Sequence, residues 1–174
     1  MQRVGRLILA AWAALLLATP ALAQSTPKTL GEYRAWTALQ YKERGDDVCF
    51  MSSSPEKWTS DPKGVNRGDI YMLVTHRPGA KIRDEVSVYA GYPYKDGSEV
   101  TVDIDGQQFK LFTDQDTAWA YDADSDRKLV QAMVRGNTMV IRGTSSRGTL
   151  TIDTYSLSGF TAARDAINKA CRIR

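Results

Sequence analysis

The chain has 174 residues and a formal net charge of +3, with 23 Lys and Arg set against 20 Asp and Glu. Charge so close to balance excludes a nucleic-acid binder, which must neutralise many phosphates, and no run of like charges makes a polybasic membrane patch. Two cysteines and one distant histidine lack zinc-ligand spacing, so no metal and no cofactor is expected.

Residues 1–23 read as a secretory signal peptide. Arg3 and Arg6 give a positive start, Leu7 to Leu17 is unbroken apolar sequence, and Pro20 precedes the small-residue cleavage site Ala21-Leu22-Ala23. The apolar run is short of the roughly 20 residues that span a bilayer, so no integral span is expected after cleavage. Residues 24–33 read as a flexible lead-in, and 34–174 as a single β-rich domain. In an oxidising compartment Cys49 and Cys171 are expected to form a disulfide.

Short strands between turn signals follow. They are expected at 35–42, at 48–52 and, after a long polar loop over 53–68, at 69–76. Arg77 to Ala80 turns the chain, and a strand over 85–92 pairs back. Residues 99–104 (EVTVDI) alternate cleanly, Asp105-Gly106 is a type I′ hairpin signal, and 107–113 returns. A short strand is expected over 117–121. Asp124, Ser125 and Asp126 offer caps for a helix carrying Leu129, Val130, Met133 and Val134, closed by Gly136. Strands over 138–142 and 149–157 flank the polar stretch GTSSRGT. Ser158 or Thr161 can cap a last helix, whose buried face of Phe160, Ala163, Ile167 and Ala170 or Cys171 brings Cys171 towards Cys49. The expected fold is mainly β, a sandwich or partly open barrel of about eight to ten short strands, with one internal helix and a C-terminal helix tied by the disulfide.

The hydroxyl-rich stretch 143–160 invites a catalytic reading, with Ser145 or Ser146 as nucleophile, His76 as base and Asp153 as orienting group. There is no GxSxG elbow, and alternating Thr and apolar residues are what a sheet with one wet face shows. GTSSRGT also lacks phosphate-loop spacing and leads into a strand. Ser145 to Gly148 reads as a hairpin turn with Arg147 at its tip. Asp122, Asp124 and Asp126 alternate like a calcium loop but lack its Gly and Glu, and helix capping explains them equally. No catalytic residue is assigned. The candidate contact surface comprises Arg147, Ser145, Ser146, His76, Arg77, Tyr92, Tyr94 and Trp58, the tyrosines standing in the aromatic turn GYPYK.

The ordered set CFMSSSP, RGDIYMLVTHRP, EVSVYAGYPYKDGSEV, FKLFTDQDTAWA, the block from LVQAMVRG to LSGFTAA, and the closing Ala-Cys resembles the invasion-associated locus B family of α-proteobacterial envelope proteins. The resemblance runs from about Trp36 to Cys171. It implies an exported protein of the periplasm, at the outer membrane or the cell surface, linked in pathogenic members to host-cell invasion. It brings no catalytic residues. The expected function is a non-enzymatic envelope protein that binds an envelope or host protein. The alternatives are a periplasmic small-molecule or ion carrier, which a core filled by Trp36, Trp119, Phe109 and Phe112 would exclude, and the serine hydrolase above.

Overall fold

A computed structural model describes residues 26–173, and the signal-peptide segment lies outside them. The strands are β1 (Lys28–Tyr33), β2 (Trp36–Glu43), β3 (Asp46–Ser53), β4 (Lys57–Asp61), β5 (Tyr71–Arg77), β6 (Ile82–Tyr89), β7 (Glu99–Ile104), β8 (Gln107–Asp114), β9 (Thr117–Trp119), β10 (Thr138–Thr144) and β11 (Leu150–Ser156), with helices α1 (Ala123–Arg135) and α2 (Phe160–Ala170). Two expectations are corrected. Lys28 to Tyr33, assigned to a flexible lead-in, pairs with β2, and Lys57 to Asp61, assigned to a long loop, pairs with β11.

All eleven strands belong to one antiparallel sheet, in the order β1-β2-β3-β5-β6-β9-β8-β7-β10-β11-β4. Two of its hairpins turn on pairs of residues with positive φ, Arg44-Gly45 and Asp105-Gly106. That geometry matches the right-handed twist of the flanking strands. Strand β7 keeps the period of two read from its sequence, with Val100, Val102 and Ile104 buried and Thr101 and Asp103 less so.

The sheet curls on itself. β3 is third from one edge and β4 is the opposite edge, yet only residues 54–56 join them. So short a link reaches little more than about 10 Å, so the two ends of the sheet must approach. Trp36 Nε1 donates to Ser156 O at 3.0 Å, and Ala35 N to Ser158 O at 3.3 Å, tying β2 to the end of β11. The result is the partly open barrel among the two expected architectures. One continuous core fills it, built from Trp36, Met51, Met72, Leu111, Met139, Tyr155 and their neighbours. Phe109 and Trp119 are only partly buried, and Phe112 is exposed against Tyr121.

Helix α1 starts at Asp122, whose Oδ1 accepts from Ser125 N at 2.7 Å. The cap is therefore two residues earlier than the expected Asp124. Leu129, Val130, Ala132 and Met133 are buried, while Val134 faces out. The start of α2 corrects another expectation, since neither Ser158 nor Thr161 caps it. Gly159 does, at φ +91, where a Cβ would lie 1.9 Å from Tyr33 O. Phe160 then packs edge-on against Trp36, with centroids 4.9 Å apart.

Covalent and polar ties hold the helices down. Cys49 on β3 and Cys171 at the end of α2 form the expected disulfide, with Cα atoms 5.9 Å apart. Asp84 on β6 takes two hydrogen bonds from Arg164 of α2, at 2.9 and 2.8 Å. Asp126 of α1 accepts from Val86 N at 2.8 Å. Burial, only partly offset by that bond, pushes the Asp126 carboxyl up to about 6.

Two tests follow from these ties. Cys171→Ser should remove about 2–5 kcal/mol of stability and lower the melting temperature, with no further effect of reductant on the variant; equal melting of wild type with and without reductant would contradict it. Because the folded-state pKa of Asp126 is raised, its contribution is present at low pH and lost as pH rises through about 6. Asp126→Asn, which keeps an acceptor for Val86 N, should therefore stabilise the protein at pH 8 by up to about 3 kcal/mol and by almost nothing at pH 4, read from denaturant melts at both.

Candidate functional site

The site grows from one arginine in the loop between β4 and β5. Arg67 sends Nη1 and Nη2 to the two carboxylate oxygens of Asp153 on β11, at 2.5 and 2.8 Å, and Nε to Ala90 O at 2.9 Å. The two side chains are only 1% and 4% exposed. The guanidinium lies between two aromatic rings, 5.1 Å from the Trp58 centroid and 5.0 Å from that of Tyr92. Burial alone would lower the Arg67 pKa; the hydrogen bonds and charge of Asp153 outweigh it and hold the group above its ordinary value.

Around this pair the backbone is clamped. Gly68 N donates to Gly91 O at 2.8 Å. Gly91 has φ +71, and a Cβ there would meet Gly68 O at 2.6 Å, so the approach requires glycine twice over. Tyr92, next in the chain, shares a 2.6 Å hydrogen bond with Thr151 of β11. Its phenol pKa is raised by burial.

The hydroxyl-rich hairpin is fixed to the same segment. Gly148 N donates to Ser145 O at 2.8 Å, closing the expected turn, with Gly148 at φ +83. Ser145 Oγ accepts from Thr149 N at 3.1 Å. Ser146 N donates to Pro93 O at 2.8 Å, and Lys95 N to Thr144 O at 2.9 Å. Arg147 therefore projects from a braced turn. Between the turn and the Arg67 loop lies a cleft of about 480 Å³, lined by Asn66, Arg67, Tyr92, Ser146, Arg147 and Thr149 among others. None of its lining residues carries a carboxylate.

Tyr92, Ser145, Ser146 and Arg147 thus line one cleft, and Trp58, outside its lining, meets it only through the Arg67 guanidinium. Trp58 is 41% exposed, with Arg67 beneath its ring. The other three expected contacts are elsewhere. Tyr94 is buried in the core, its ring over Gly143 and its backbone bridged to Ser145, while Tyr92 lines the cleft. Arg77 pairs with Glu85 at 2.6 Å on the far side of β5 and β6. His76 is fully buried: its Nδ1 accepts from Asp84 N at 3.0 Å, so Nε2 carries the proton that meets Asn168 Oδ1 at 3.0 Å. Burial pushes the ring's pKa down, against the pull of Asp84.

These placements take the hydrolase apart. The proposed base has both nitrogens engaged beneath α2, Asp153 is chelated by Arg67, and Ser145 Oγ braces its own turn. The calcium-like acids also diverge. Asp122 caps α1, Asp124 pairs with Arg127, and Asp126 binds Val86 N. Among the described residues no group of three or more His, Cys, Asp or Glu is placed to hold a metal. Sequence reasoning missed Arg67. Its only local signal was a cation within an otherwise polar NRGD segment.

A family model described as "Invasion associated locus B (IalB) protein" matches residues 36–168. The crystal structure of invasion associated protein B from Bartonella henselae is similar in fold, with a TM-score of 0.56 at 15% identity over 83% of this chain and 97% of that one. No curated protein matches.

The buried pair makes a prediction of its own. Asp153→Ala leaves Arg67 charged and unpaired in the interior and should cost about 3–5 kcal/mol. The double replacement Arg67→Met with Asp153→Leu should recover most of that loss in the same urea titration; equal losses in both variants would show that the charges do not set the cost.

Proposed function

The chain belongs to the invasion associated locus B family, and from that premise we propose that it is an exported, non-enzymatic envelope protein that binds a protein partner through the cleft beside Arg67. One observation carries the reading. Arg67, Tyr92 and the turn Ser145 to Arg147, from three separate segments, line a single cleft, and that cleft is held by a buried ion pair and backbone clamps rather than by mobile loops. A surface fixed before binding loses little conformational entropy when a partner docks. Aromatic and arginine side chains are also the types that dominate contact energies.

The non-enzymatic half of the proposal is supported by how the candidate catalytic groups are used, since His76, Asp153 and Ser145 each serve the fold. The carrier alternative finds no support in the interior, which Met51, Met72, Leu111, Met133 and Met139 fill. Export is supported by the disulfide, which persists in oxidising compartments, and by the signal-like sequence of residues 1–23. Among the described residues no helix is long and apolar enough to cross a membrane. A contribution to host-cell invasion would follow where the protein is displayed towards a host cell.

A photo-crosslinking amino acid at position 147 tests the proposal in intact cells. A discrete protein adduct should form there and not from position 169 on the exposed side of α2. Equal adducts from both positions, or none from 147, would count against the cleft as the contact. Protease treatment of intact and opened cells should show the chain outside the cytoplasmic membrane in either case.

A further inference from the structure

We infer that the cleft takes an acidic group, the carboxylate of a glutamate or aspartate in an acidic segment of the protein partner. This rests on the reading of the cleft as a contact surface and adds the chemistry of what fills it. Two arginines and several hydroxyls line the cleft, and no carboxylate does. The charge of Arg67 is neutralised from below, because both oxygens of Asp153 are bound to it. The charge of Arg147 is not neutralised: no ion pair or hydrogen bond from its side chain forms with any described residue. The pocket therefore presents one uncompensated cation on a wall of donors.

Ser146 N and Gly148 N are consumed in bracing the turn. Arg147, Ser146 and Asn66, which carry a guanidinium, a hydroxyl and an amide, line the same cleft. A planar guanidinium beside hydroxyl and amide donors matches a carboxylate, which accepts through two oxygens. The Tyr92 ring, Val65 and Pro93 also line the site, so an acidic residue next to an apolar one would fit best. A cationic segment is disfavoured twice, by Arg147 and by the lack of any lining acid.

The test is an amide-resolved NMR titration of the purified protein with three probes: a short glutamate-rich peptide, its glutamine counterpart, and inorganic phosphate. The glutamate peptide should shift the amides of Asn66 to Gly68 and Ser145 to Thr149 saturably, and the glutamine peptide should not. Phosphate should produce at most the part of the response that belongs to Arg147, and a full response to phosphate alone would overturn the assignment to an acidic protein segment. Arg147→Glu should weaken the glutamate peptide roughly tenfold, and Arg147→Lys should weaken it by less, since it keeps the charge but loses the planar fork. Both variants should melt like wild type, since the side chain has no folded-state partner. Equal responses to glutamate and glutamine peptides, or an unchanged affinity in Arg147→Glu, would overturn the inference. Crosslinking from position 147 that persists in that case would leave the contact surface standing, whereas its absence would remove both.

Discussion

Arg67 is where the β4 edge of the sheet, the end of β6 and the candidate site become one structural problem. It belongs to a loop that on sequence alone has no reason to be ordered. Its side chain reaches β11 through Asp153, the end of β6 through Ala90, and the rings of Trp58 and Tyr92. A buried ion pair contributes little net stability over an apolar pair of the same shape, because desolvation offsets the attraction. What it contributes here is geometry. A bidentate pair fixes distance and orientation together, and the Gly68–Gly91 contact is possible only when both segments are held at that spacing.

The opposite half of the barrel uses a different set of constraints. There α2 lies over β1, β2 and β3, fixed by Phe160 against Trp36, by the disulfide, and by the polar row His76, Asn168, Asp84 and Arg164. Every member of that row has a partner, so its burial is tolerated. The division of labour is clear in the histidine. Placed by sequence among the candidate contacts, it joins β5 to the last helix through Asn168.

How much of this was legible depends on the distance over which the information is carried. The β7–β8 hairpin was readable because alternation and Asp105-Gly106 are local signals. The disulfide was readable because a compartment and a count of two suffice. Strand β4 was not, since Lys57 to Asp61 is short and polar and becomes a strand only by pairing with β11, far along the chain. Arg67 failed for the same reason, with Asp153 86 positions away. Tyr92 and Tyr94 show the limit within a single turn. Two rings of one type in edge-to-face contact differ in exposure, Tyr94 buried and Tyr92 packed against the core yet lining the cleft, and no strand period separates positions two apart.

The pairing of early with late segments has a consequence for the order of assembly. β4, Arg67 and Cys49 all lie in the first half of the chain, and their partners β11, Asp153 and Cys171 all lie near its end. A chain emerging from its N-terminus can form the β2–β3 and β5–β6 hairpins at once, but it can neither shut the seam nor lock the last helix until almost every residue is available. Completion is thus recorded in the fold itself: a truncated copy keeps its edges open and its first cysteine unpaired, and so stays distinguishable from a finished one.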